Sequence, residues 1–227
     1  MNETLFLAIV LIPSLIVAIV FHEVAHGWVA NMLGDPTAKD LKRLSLNPLR
    51  HVDPVGTVIL PGILAMTGAP VFGWAKPVPV NFRRLYNPRR DMMVVAAAGP
   101  GTNIVLALIG AVLVGMLLPA DALAGQPLSI LGFALFMFIS INLFLALFNL
   151  IPLPPFDGSH IVEGLLPEGG RRAYAKLRPF GFPLLFLLLL VIPWLFPGLG
   201  IVERFVLPPF EWAQGEFLKV AHAIAGG

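Results

Sequence analysis

His22 and His26 stand four residues apart, with Glu23 directly after the first, in the order His-Glu-Val-Ala-His. On a helix, residues i and i+4 share a face one turn apart, so both imidazoles can reach one divalent ion. Glu23 sits one position along and reaches a water bound to the same ion. Three protein ligands plus that water is the arrangement a catalytic site needs. The chemistry implied is hydrolysis by activated water, with a carboxylate as general base. The plainer reading is a helix end emerging among lipid headgroups, where His and Glu are ordinary. Depth weighs against it. Residues 5–21 carry no charge, so His22 lies about 25 Å along a helix starting at Leu5. Ionisable side chains at such a depth are costly and usually functional.

A third ligand cannot be a thiolate, because the chain has no cysteine; His, Asp and Glu remain. Asp157, in Asn149-Leu-Ile-Pro-Leu-Pro-Pro-Phe-Asp157-Gly158, is the candidate, the first charge after residues 122–156. Pro152, Pro154 and Pro155 prevent a regular helix there, and Gly158 frees the turn beside the carboxylate. Taken alone, Asp157 reads equally well as a polar helix stop at a membrane surface.

The elements that must position these groups follow from composition. Of 227 residues, 57% are hydrophobic and 12% charged, and the mean hydropathy is +0.85. Charged residues cover about a quarter of a soluble domain, so this chain is an integral membrane protein, with length for one domain. Apolar runs predict spans at about 5–33, 92–118, 128–151 and 180–202. The first has no basic stretch ahead of it and no small-residue cleavage site, and is expected to be retained. Residues 203–224 mix aromatic residues, charges, Pro208 and Pro209, which suits an interfacial helix or an extra span.

Charge then sets orientation. Lys39, Lys42, Arg43, Arg50, Lys76, Arg83, Arg84, Arg89 and Arg90 lie between the first two runs, and Arg171, Arg172, Lys176 and Arg178 between the last two. Residues 119–127 and the N-terminal tail have no Lys or Arg. The positive-inside rule places both basic loops in the cytoplasm, the N-terminus outside and the histidines near the cytoplasmic side. Asp157 then arrives at the same face as His22 and His26, provided that Val55 to Ala75 does not cross. That apolar stretch holds Gly56, Pro61, Gly62, Gly68, Pro70 and Gly73, and is expected to form a re-entrant, β-like loop over about 55–81. The expected fold is an all-α polytopic membrane protein of about four to five transmembrane helices.

Together these residues resemble the site-2 protease family of intramembrane zinc metalloproteases. The likeness runs from Leu5 to about Leu166. It rests on His22-Glu23-x-x-His26 and on Asn149-x-x-Pro152-x-Pro154-x-x-Asp157-Gly158. Gly99-Pro100-x-x-Asn103 and the stretch from Gly73 to Asn81 also fit. The resemblance implies helices around a buried Zn2+ bound by His22, His26 and Asp157, with a β-like membrane loop alongside. It implies membrane-anchored protein substrates cut within or near their transmembrane segments, in a lipid bilayer of a prokaryotic cell membrane. It also implies that Asn103 assists substrate binding or the oxyanion; by residue type and place, Asn149 or Asn142 is a further candidate donor. A substrate helix must unwind first, and an exposed edge of the re-entrant loop offers it a pairing strand. Many members carry a PDZ or CBS domain, for which this chain has no room.

Other residues take weaker readings. His160 is either a second layer behind Asp157 or a cap of the following helix. His51 with Asp53 reads as loop chemistry, and His222 is given no role. The basic loops read first as orientation determinants and headgroup contacts. Nothing points to nucleic acid, and oligomeric state is open. The rivals are a divalent-metal transporter, which would need polar residues along several helices, and a catalytically silent scaffold, which would have no use for Glu23.

Overall fold

The computed structural model describes residues 3–67, 73–119, 129–196 and 202–226. Six helices organise it: α1 (Glu3–Met32), α2 (Pro88–Leu117), α3 (Ile130–Asn149), α4 (Asp157–Leu165), α5 (Glu168–Ala175) and α6 (Leu207–Ile224). Three stretches, Ile9–Met32, Pro88–Leu117 and Ile130–Asn149, are helical, long and apolar enough to cross a membrane. Their outer faces carry Ile9, Ile12, Ile104, Val105, Ile109 and Leu131, all exposed, as expected of surfaces meeting lipid. No strand is present among the described residues. The protein is an all-α integral membrane protein.

Between helices the buried residues are small. Ala107, Ala111 and Val114 of α2 pack with Ile139 and Leu143 of α3 and with Ala213 and Ala221 of α6. Lipid tails are as apolar as leucine, so close backbone approach between small side chains holds such helices together. Contact order along the helices gives their directions. On α1, Ala18, His22 and His26 meet Asn103, Gly99 and Val95 of α2 in that order, so these helices are antiparallel. Asn103 meets Asn142, and Gly110 packs on Phe138 and Ile139, so α2 and α3 are antiparallel as well. The C-terminus of α1, the N-terminus of α2 and the C-terminus of α3 therefore share one end of the bundle.

The connection between α1 and α2 departs from the expected β-like loop. Pro54–Ile59 is a wide helical turn that continues into the α-helix Leu60–Thr67. The Asp53 carboxylate accepts the backbone N–H groups of Val55 and Gly56, and Pro54 fills the first turn. This is a helix start signal, stronger here than the glycines that argued for extended backbone. Gly68 and Pro70 lie outside the described residues. Residues 73–81 are not helical, but they pair with loop carbonyls and side chains rather than with another strand.

The fourth apolar run, expected over 180–202, is helical in three consecutive pieces, Gly181–Phe186, Leu187–Val191 and Ile192–Leu195; residues 197–201 lie outside the described set. Helix α6 falls in the segment left open between interfacial helix and span. It packs against α2 and α3, where Gly115 lets the Ala221 carbonyl and Ile224 come close.

Candidate metal centre

Helix α1 continues unbroken through His22 and His26, which turns both imidazoles toward α2, edge to face with ring centroids 4.7 Å apart. The opposing stripe of α2 has Val95, Gly99 and Asn103 at intervals of four residues. Each position does something different. Asn103 Oδ1 lies 2.6 Å from His22 Nδ1. The Val95 carbonyl lies 2.7 Å from His26 Nδ1. An oxygen of either kind only accepts, so both rings carry a proton on Nδ1 and turn Nε2 toward the cluster. The Asn103 assignment is secured by its own amide nitrogen, which donates to the Ala18 carbonyl and to Asn142 Oδ1. Asn142 closes the chain by donating to the Phe138 carbonyl. Asn103 and Asn142 are fully buried, and polar groups at such sites persist only when bonded.

Gly99 faces the two Nε2 atoms. A Cβ built there would stand 2.5 Å from His26 Nε2 and 2.6 Å from His22 Nε2. The missing side chain is what keeps the space in front of both nitrogens open.

Asp157 enters from the far side. After α3 ends at Asn149, the prolines break the helix, and α4 begins at Asp157 itself. Gly158 is required at the bend, because a Cβ there would come within 2.2 Å of the Leu150 carbonyl oxygen. Asp157 Oδ2 lies 3.1 Å from His22 Nε2 and 3.3 Å from His26 Nε2. Among the described residues this is the one group of three or more His, Asp or Glu side chains with atoms placed to share an ion. Ligand atoms around a tetrahedral zinc with bonds of 2.0–2.1 Å lie about 3.3 Å apart, so the donor set and its spacing fit Zn2+.

Glu23 Oε2 accepts the backbone N–H of Val78 at 2.8 Å, which fixes the carboxylate beside the cluster. Val78 belongs to a segment held by alternate amides. Trp74 N–H donates to the Gly56 carbonyl and Lys76 N–H to that of His51. Residues 77 and 79, on either side of Val78, are prolines, without a donor.

Among the residues singled out from sequence, His22, His26, Asp157, Glu23 and Asn103 are brought together. Asn149 is not: its side-chain amide donates to the Leu145 carbonyl one turn back on α3. His160 lies one turn beyond Asp157 on α4, where burial and the Arg178 guanidinium push its imidazole below the usual value. His51 is buried, with Nε2 against the Ser45 carbonyl. Sequence reasoning missed the parts played by Gly99, the Val95 carbonyl and the Val78 N–H. A signal for the first two was present, since 95, 99 and 103 repeat every four residues, as 18, 22 and 26 do on α1.

The fold and this site define a class: an integral membrane protein whose packed helices enclose two histidines and a carboxylate. A sequence profile of Peptidase family M50 matches residues 122–192. "Putative zinc metalloprotease YwhC" of Bacillus subtilis (strain 168) is 42% identical over 187 residues, 81% of this chain and 80% of its own length. "Putative zinc metalloprotease Rip2" of Mycolicibacterium smegmatis is 30% identical over 190 residues, covering 82% of this chain and 68% of that protein. Its namesake in Mycobacterium tuberculosis (strain H37Rv) is 28% identical over 208 residues, 86% of this chain and 76% of its own. No solved structure matches the chain. The chain belongs to Peptidase family M50, the site-2 protease family that its motifs resemble.

Proposed function

We propose that this zinc metallopeptidase of the membrane cuts peptide bonds within or beside transmembrane segments of membrane-anchored proteins. In this reading His22, His26 and Asp157 hold Zn2+, and Glu23 is the general base. The observation that carries it is the meeting of His22 Nε2, His26 Nε2 and Asp157 Oδ2, from two distant segments, at ligand spacing. Zinc bound there supplies Lewis acidity, polarising a carbonyl and acidifying water. Glu23, oriented through Oε2 by the Val78 N–H, takes the proton of the attacking water on Oε1 and returns it to the leaving amine. Asn103 acts as a positioning residue. Both hydrogens of its amide are engaged by Ala18 and Asn142, so it holds His22 rather than donating to an oxyanion. With its amide on Leu145, Asn149 is no closer to such a role.

A transmembrane substrate hides its carbonyls in intrahelical bonds and must unwind to present one. Pro77 and Pro79 remove two donors from the side of the 73–81 segment that faces away from Glu23. Arg43 also donates to the Pro77 carbonyl and Asp35 takes the Asn81 N–H, so the pairing edge expected from the sequence narrows to Ala75 and the Pro79 carbonyl.

The test is zinc content of the detergent-purified protein beside cleavage of a membrane-anchored reporter. His26→Ala and Asp157→Ala are expected to lose zinc. Glu23→Gln is expected to keep it while cleavage falls by about 10²–10⁴-fold. Full cleavage by Glu23→Gln, or zinc untouched by Asp157→Ala, would sink this reading.

A further inference from the structure

Beside the metal-ligand cluster lies a second feature that the hydrolytic chemistry leaves unused. A cavity of about 380 Å³ is walled by Arg89 from α2, His160 and Glu163 from α4, Arg171 from α5, Arg178 after it, and Val80 from the extended segment. Its place relative to the reaction centre is set by two covalent rulers. His160 follows Asp157 by three residues on one helix, about 4.5 Å along the axis. Val80 follows Val78, the partner of Glu23, by two residues, about 7 Å in extended chain. A peptide lying past Glu23 along this segment reaches the cavity within a few residues of the bond being cut.

The cavity is held open by its own hydrogen bonds. Arg89 donates through Nε to the Gly164 carbonyl and through one Nη to that of Leu166, at the end of α4. Arg178 donates to Glu163. Arg171 grips Glu168 with two nitrogens, at 2.9 and 3.0 Å, and Arg172 adds a third contact to the same carboxylate. Three guanidinium groups, those of Arg89, Arg171 and Arg178, thus line the cavity with one carboxylate, that of Glu163. The excess is positive and partly fixed in place, in a cleft with apolar walls at Val80, Phe82 and Met92. Low-dielectric walls strengthen such a field, and planar guanidinium groups suit a carboxylate.

We propose that this cavity is a specificity subsite taking the carboxylate of an Asp or Glu side chain of the substrate, a few residues from the scissile bond. The proposal rests on the protease reading for its choice of ligand. It commits to a peptide carboxylate rather than a lipid phosphate because the cavity adjoins the reaction centre and continues the Val78–Val80 segment.

The probes are two synthetic membrane-spanning peptides with the same apolar core, one flanked at both ends by Glu and the other by Gln. Binding is measured on the full-length Glu23→Gln protein in phosphatidylcholine nanodiscs. The expected result is about tenfold tighter binding of the Glu peptide, shrinking as salt is raised. Arg171→Gln and Arg178→Gln, each shown by its zinc content to be folded, should lose that preference and keep the affinity for the Gln peptide. Equal affinities, no binding of either peptide, or a preference kept by both variants overturns the proposal. Loss of the preference when phosphatidylglycerol replaces phosphatidylcholine also overturns it, since lipid phosphate is then the occupant. The underlying reading fails separately: zinc-loaded wild type would leave both peptides uncut while the Glu preference stood.

Discussion

At the scale of single residues, the cluster depends on which nitrogen of each ring carries hydrogen. Val95 satisfies His26 with a backbone carbonyl, which no side-chain substitution removes. His22 depends on a side chain, Asn103, and there the arrangement is vulnerable. Removing the outer partner of a metal-binding histidine commonly costs 10–100-fold in metal affinity. Asn103→Ala is therefore expected to weaken zinc by about that factor in a competition titration against a chelator. Asn103→Asp, which retains an acceptor for Nδ1, should lose less. Equal zinc affinity in Asn103→Ala would remove the positioning role. The HExxH pair was legible from the sequence because i and i+4 on a helix are a local fact. The engagement of Asn103's two amide hydrogens was not, because their acceptors come from α1 and α3.

At the scale of elements, α1 and α2 approach closely enough that one missing side chain leaves the space the cluster needs. Gly99 to Ala would place a methyl 2.5–2.6 Å from both Nε2 atoms. Alanine in a helix interior is otherwise favoured over glycine by roughly 0.5–1 kcal/mol. Gly99→Ala is thus expected to lose zinc without a matching loss of helix content, read by metal analysis beside circular dichroism. Full zinc occupancy would show that the rings move aside freely. The loop between these helices illustrates the reverse difficulty. Its glycines and prolines suggested extended backbone, yet the Asp53 cap and Pro54 start a helix instead. Glycine and proline counts report what a segment avoids; a cap reports what it begins.

At the scale of the whole molecule, the antiparallel order of α1, α2 and α3 places both basic loops at one end of the bundle and Pro119 at the other. Thirty residues of α2 separate the ends by about 45 Å. We infer from the distribution of Lys and Arg that the basic end is cytoplasmic and the N-terminus outside. The chain has no cysteine, so a single introduced thiol is unique. Exposed Lys39→Cys and Arg172→Cys are expected to resist a membrane-impermeant maleimide in intact cells, and Pro119→Cys to react. The opposite pattern would invert the orientation, and a mixed one would break the shared-end arrangement.

What the sequence determined by itself was whatever depends on neighbours along the chain or on bulk composition. That includes the membrane class, the three long helices, the pairing of His22 with His26, and the break and turn around Pro152 to Gly158. Periodicity and hydropathy are local sums, so they survive without knowledge of the fold. Only the tertiary structure decided what faces what across helices. It brought Asp157 Oδ2 to 3.1 Å from a histidine 135 residues away. It tied Asn103 to His22 and left Gly99 as the gap, set Val78 on Glu23, and gathered arginines from separate helices around one cavity. Those relations depend on the register of packed helices. Register is settled by the fit of small residues such as Ala107, Gly110 and Gly115 against their neighbours, which no single segment encodes.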